Sequence, residues 1–275
     1  MGCAMHRPDS LAELLRDDSV EVERAALSIA RDGRRFVDEK ASLEALDALA
    51  APLDAIGERV HDATEAARAL AAHLHGVCGF RGDDSDYYDP RNSYLDVVLE
   101  RRIGIPITLS IVYMAVARRV RIPIEGISFP GRFLVRVGGP NGVYQDPFGG
   151  GAILDDGALV KLGAAFGGGQ ALDSRQLAPV GVRAIATRML VNLENAHTQR
   201  NDHASALIVS SRLVELTADP SRRRDRGTHA LAIGAFATAI DDFETYLRVR
   251  PKSADRARIE VLLARARSQA GSRAN

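Results

Sequence analysis

Between Ser10 and His75 apolar side chains recur three and four residues apart: Leu11, Leu14 and Leu15, then Ala25, Ala26 and Ile29, then Leu43, Leu46, Leu49 and Ala50. Such spacing lines one face of an α-helix. Polar positions at Arg31–Gly33 and a proline at Pro52 interrupt it, so the pattern predicts three helices, over residues 10–30, 36–50 and 53–75. A charged loop, Arg81–Asp86, follows. In Asp89-Pro90-Arg91-Asn92-Ser93 the Asp and Pro set a turn, and Asn92 or Ser93 is placed to cap a helix carrying Leu95, Val98 and Leu99. Gly104 and Pro106 then break the chain. Proline has no N–H to leave unpaired, so Pro106 suits the first turn of a helix that buries Leu109, Val112, Tyr113, Val116 and Val120 and turns Arg118, Arg119 and Arg121 outward. Beyond it the pattern becomes strand-like over residues 124–129 and 133–137. Gly138-Gly139-Pro140-Asn141-Gly142 makes a turn, and residues 143–146 a further strand. The result is a β-hairpin behind a helix.

Residues 166–179, with the triple glycine at 167–169, read as a connection, and everything from Arg183 onward is helical in pattern. Within this tail Ala206, Leu213 and Leu216 recur 33 positions later as Ala239, Tyr246 and Val249, and Pro220 and Pro251 close the two units. The period is close to the ~34 residues of a tetratricopeptide repeat, in which paired helices stack to share one core. An ordinary helical bundle is the alternative. The expected organisation is a flexible N-terminus over residues 1–9, a domain over 10–170 that includes the first helices, and a helical region over 181–275.

At 275 residues with 46% apolar content the chain has material for a substantial core. Lys plus Arg and Asp plus Glu both number 36, so no overall charge recruits nucleic acid or an anionic membrane surface. Two cysteines, Cys3 and Cys78, do not make a disulfide framework. Charges break every apolar stretch before the ~20 residues of a membrane span. The start carries Gly2, but His6 stands where a myristoylation signal needs Ser or Thr. These features point to the cytoplasm.

Four segments occur in order: Tyr88-Asp89-Pro90-Arg91-Asn92-Ser93-Tyr94-Leu95, Gly104-Ile105-Pro106-Ile107, Phe129-Pro130-Gly131 and Asp146-Pro147-Phe148-Gly149-Gly150. With Arg188-Met189-Leu190-Val191-Asn192-Leu193 and Arg224-Asp225-Arg226-Gly227 in the tail, the chain resembles the SirB-type family of bacterial transglutaminase-like proteins over nearly its whole length. The resemblance implies an α+β fold: a papain-like core of one central helix on a small antiparallel sheet, N-terminal helices before it and a tetratricopeptide-like tail after it. It also implies a Cys–His–Asp constellation with the thiolate at a helix N-terminus, where free amides and the helix dipole stabilise it.

This chain departs from that pattern. The nucleophile position falls near Ile107 or Thr108, where the nearby hydroxyls are Thr108 and Ser110 and no cysteine is present. The family's Pro-Gly-His-Phe reads Pro130-Gly131-Arg132-Phe133 here, and a guanidinium is no base near neutrality. Asp146 keeps the third position. With the turn at residues 138–142, Arg132 and Asp146 share parity on adjacent strands and form a diagonal pair on one face. The implied function is a non-catalytic protein-binding or regulatory module with a protein or peptide partner, no cofactor and no metal. The alternative is a hydrolase or acyltransferase using Thr108 or Ser110, with Arg132 stabilising an oxyanion. Asp89, Arg91, Asn92, Phe129 and Phe148 are the expected cleft-lining residues.

Other features read as structural. His73 and His75 point to different sides of a helix and make no metal site alone. Cys78 suits a small packed residue. Arg222-Arg223-Arg224-Asp225-Arg226 reads as a solvated loop in which Asp225 caps the next helix. The glycines after Phe148 lack the context of a phosphate loop and serve a tight turn with positive φ.

Overall fold

The structure, a computed structural model, describes residues 10–17, 19–54, 62–166 and 173–274. The expected flexible residues 1–9, Cys3 and the triple glycine at 167–169 lie outside the described residues. By its internal packing the chain divides into two compact units, Leu14–Met189 and the residues from Leu190 onward together with residues 10–13.

The N-terminal helices are α1 (Leu11–Leu14), α2 (Val22–Gly33), α3 (Glu39–Ala50) and α4 (Ala63–Ala71). The expected single helix over residues 10–30 is broken between α1 and α2. There Asp17 accepts both the backbone N–H (2.9 Å) and the hydroxyl (2.6 Å) of Ser19, a local bond that competes with helix formation. Asp38 caps α3 by accepting the Ala41 N–H at 2.9 Å. α4 runs into a π-helical turn, Ala72–Val77, where the Cys78 N–H reaches back five residues to the His73 carbonyl at 2.8 Å.

Two helices follow, α5 (Leu95–Arg101) and α6 (Pro106–Arg119). Neither Asn92 nor Ser93 caps α5; Tyr94 holds that position without a side-chain bond, while Asp89 caps a short 3-10 turn over Pro90–Asn92. In α6 eleven of fourteen residues are buried, Ile111, Ala115 and Ala117 among them, so the helix is covered nearly all round rather than along one stripe. It packs against α2, α3 and the sheet.

That sheet is an antiparallel meander in the order β3 (Ile124–Ile127), β4 (Leu134–Val137), β5 (Val143–Asp146) and β6 (Ala152–Leu154). Val135 pairs with Gln145 and Val137 with Val143 across the hairpin. The sequence pattern gave no sign of β6, of the helix α7 (Asp156–Phe166), or of a two-residue parallel pair, β1 (Arg81–Gly82) with β2 (Ile103–Gly104). The fold class is α+β, with a central helix on a small sheet.

In the tail, α8 (Val182–Gln199) is followed by α9 (His203–Leu216), α10 (Ser221–Ala232), α11 (Phe236–Val249) and α12 (Arg256–Ala274). Helices α9 and α11 both have 14 residues and begin 33 positions apart. Ala206, Leu213, Ala239 and Tyr246 are buried as the repeat requires, but Val249 is 52% exposed where its counterpart Leu216 is 9% exposed. Consecutive helices from α9 to α12 pack on one another, each burying the apolar face of the one before.

The arginine run is not a loop. It forms the first turns of α10, a position where the helix dipole disfavours cations. Neighbouring carboxylates compensate: Arg226 forks onto Asp242 at 2.6 and 2.7 Å, Arg223 reaches the same carboxylate at 3.1 Å, and Arg224 reaches Asp255 at 3.0 Å. Asp225 caps nothing; it accepts from Arg224.

Candidate functional site

The start of α6 carries the two hydroxyls, and both are engaged and fully buried. Thr108 Oγ1 donates to the Asn92 carbonyl at 2.8 Å and accepts the Ile105 N–H at 3.1 Å. It pins the helix N-terminus to the Pro90–Asn92 turn. Ser110 Oγ donates to the Phe133 carbonyl at 3.2 Å, joining α6 to the segment entering β4. Each hydroxyl points its proton at a backbone carbonyl, which is too weak a base to remove it, so neither is activated as a nucleophile by this contact. The described histidines of this unit are engaged elsewhere: a ring nitrogen of His73 lies 2.8 Å from the Leu49 carbonyl, and one of His75 lies 2.9 Å from that of Phe80.

Arg132 and Asp146 come together, with Arg132 Nε 3.7 Å from Asp146 Oδ2. This is an ion pair too long for a hydrogen bond, and the buried Nε has no hydrogen-bond partner. Asp146 instead accepts the Phe148 N–H at 3.1 Å. Burial pushes its carboxyl above the usual range, against the pull of Arg132 and of the backbone N–H bonds from Gly149 and Phe148. The Arg132 guanidinium is held mainly by aromatic faces, 4.6 Å above the Phe148 ring and 5.8 Å from Phe166. Tyr87 meets Phe148 edge-on at 6.3 Å and Tyr88 at 5.3 Å. At Gly131, with φ of +66°, a side chain would overlap the Phe166 ring, so α7 closes directly over the Pro-Gly-Arg-Phe turn.

Of the expected cleft-lining residues, only Phe148 touches this cluster. Phe129 is fully buried in a small core with Ile127, Leu134 and Leu159, a correction to its expected place in the cleft. Asn92 also lines no cleft. It is fully buried, donates to Asp83 Oδ2 and the Asp86 carbonyl at 3.0 Å each, and accepts from Arg101 at 3.1 Å. Asp89 accepts the Arg91 N–H and its Nε at 2.9 and 2.8 Å, making the turn a structural knot. Burial raises the Asp83 carboxyl, but bonds from Asp86, Ser85 and Asn92 outweigh it and hold the group at about 2.

Sequence reasoning missed four contributors. Arg188 reaches back about sixty residues to bind Ser128 Oγ (2.7 Å) and the Phe129 and Arg132 carbonyls (3.0 and 2.9 Å), fixing the turn that carries Arg132. Tyr87 and Phe166 supply exposed aromatic surface, 39% and 52% accessible. Tyr113 lies deeper, its buried hydroxyl without a hydrogen-bond partner; burial, then the Asp146 charge, push its ionisation up. The available signals were an arginine among the apolar residues of α8 and an aromatic residue just before the glycines.

The sequence profile of the transglutaminase-like superfamily matches residues 40–191, and that of the tetratricopeptide repeat matches residues 193–264. A UPF0162 protein of Xylella fastidiosa strain Temecula1 is 40% identical over 193 residues, 67% of this chain and 68% of that protein. A UPF0162 protein of Vibrio cholerae is 30% identical over 197 residues, 70% and 73% of the two chains. F-box only protein 21 of Mus musculus is 36% identical over 129 residues, 44% of this chain and 20% of its own length. No solved structure matches.

Proposed function

Since the chain belongs to the transglutaminase-like superfamily, matched over residues 40–191 of 275, we propose that it is a non-catalytic member acting as a protein-binding module. The observation that carries this reading is the base position, where Arg132 is clasped by Phe148 and Phe166 while both candidate hydroxyls donate to backbone carbonyls. Nothing in this arrangement takes a proton from a nucleophile. What it offers is surface: Tyr87, Tyr88 and Phe166 are exposed around a stacked arginine. Tyrosine and arginine are the residue types that dominate binding hot spots. The tetratricopeptide-like tail adds stacked helix pairs, an architecture that commonly presents grooves to peptides. Among the described residues no helix is long and apolar enough to cross a membrane. The expected cytoplasmic setting belongs to the same reading.

The test is selection of a displayed random-peptide library on the full chain. Enriched peptides that lose at least tenfold in affinity to Tyr88→Ala or Phe166→Ala support the aromatic surface. Peptides that bind both variants as they bind the parent count against it.

A further inference from the structure

A second pocket lies at the far end of α6, about 15 Å along the helix from Thr108 at 1.5 Å per residue. It has a volume of about 460 Å³ and an apolar body that includes Val20, Met114, Ile122, Ile124 and Val182. Its charged lining residues are Glu21, Arg118 and Arg121, one acid against two cations. Arg118 is fully engaged, bonded to Glu21 at 2.6 Å and to the buried Glu23. Arg121 is not: among the described residues it has no acidic partner.

The backbone at Arg121 makes the side chain stand out. Its φ is +59°, in the turn that ends α6, where glycine fits without strain and a side chain costs roughly 1–2 kcal/mol. Among the described residues three non-glycine residues take such angles. Asn201 is of a type that tolerates them, and Arg102 places its guanidinium 4.7 Å over the Phe80 ring. Arg121 keeps a long cationic side chain at a strained position, in the lining of an apolar pocket, with no acidic partner among the described residues.

We infer that this pocket binds a small monocarboxylate with an apolar body, its carboxylate on the Arg121 guanidinium and its chain among Val20, Met114 and Ile124. The volume falls in the range of small-molecule sites. A guanidinium meets a carboxylate through two parallel N–H donors, a geometry that an uncharged head group does not reproduce.

The test is calorimetric titration of the full chain with octanoate and with octanol, which share a tail and differ in head group. Octanoate binds with a dissociation constant of about 1 mM or tighter, and octanol at least tenfold more weakly. Arg121→Gln and Arg121→Gly each weaken octanoate about tenfold and leave octanol unchanged. Arg121→Gly also raises the melting temperature, because glycine relieves the backbone, so its lost affinity cannot be ascribed to unfolding. The inference is overturned if octanoate gives no binding heat at about 1 mM, if octanol binds as well as octanoate, or if both Arg121 variants keep the parent affinity.

Discussion

Two buried aspartates, one in each unit, show what an inherited charge becomes under different surroundings. Asp242, fully buried in the helical tail, is gripped by Arg226 through two bonds of 2.6 and 2.7 Å and by Arg223 at 3.1 Å. Asp146, 6% exposed in the transglutaminase-like unit, meets Arg132 only at 3.7 Å, and its carboxyl is raised by burial. The first pair ties helices together; removing the arginines would leave a fully buried carboxylate without its partners. On the proposed reading the second is what remains where a base would stand, and ring faces hold its arginine more closely than its carboxylate does. A close match of charge types is therefore no guide to role. Bond length and partner number separate strut from remnant.

That contrast fails first if the strut is weak. Asp242→Ala is expected to destabilise the protein by about 3–5 kcal/mol, because Arg226 loses both bonds inside the fold. Urea denaturation followed by circular dichroism reads this directly, and a loss below about 1 kcal/mol would equate the two aspartates. Next in size is Asp83, whose carboxyl lies at about 2 in the fold against 3.8 in its ordinary state. A depressed carboxyl stabilises the fold above the ordinary value, and that contribution is lost as pH falls through the folded one. Asp83→Ala is therefore expected to destabilise the fold at pH 7 and at pH 5, with the difference from the parent shrinking between about pH 4 and 2. A penalty that is flat across that window contradicts the hydrogen-bonded knot around Asn92. The smallest effect belongs to the remnant. Arg132→Met keeps a side chain of similar reach on Phe148, and is expected to cost under about 1 kcal/mol. It removes a charge that lowers the Asp146 carboxyl, so the Asp146 titration followed by carbon NMR moves further up. Movement downward would mean that Arg132 and Asp146 are not a pair.

The sequence showed those parts of the fold that local patterning controls. The α6 helix behind Pro106, the hairpin around residues 138–142 and the 33-residue recurrence in α9 and α11 all follow from periodicity and turn chemistry. The approach of Arg132 to Asp146 was legible from parity counted along the hairpin, although Arg132 lies in the turn ahead of β4 rather than on the strand. What stayed hidden depends on bonds between distant positions. Thr108 and Ser110 look like nucleophile candidates until their acceptors, 16 and 23 residues away, are known. The arginines of α10 look solvated until Asp242 of α11 and Asp255, in the turn just ahead of α12, reach them. Asn92 resembles a cap, yet its side chain is claimed by Asp83 and Arg101. In each case the residue type fits two roles, and only bonds between distant positions show which partners its side chain has.

The most direct test of a non-catalytic core asks whether either hydroxyl accepts an acyl group. The full chain would be incubated with an activated ester, digested and mapped by mass spectrometry, beside a Ser110→Ala variant and a Thr108→Val variant. Thr108 and Ser110 are expected to remain unmodified, and both variants to turn over the ester at the parent's background rate. An acyl group mapped to either hydroxyl, with turnover lost in the matching variant, would contradict a non-catalytic core.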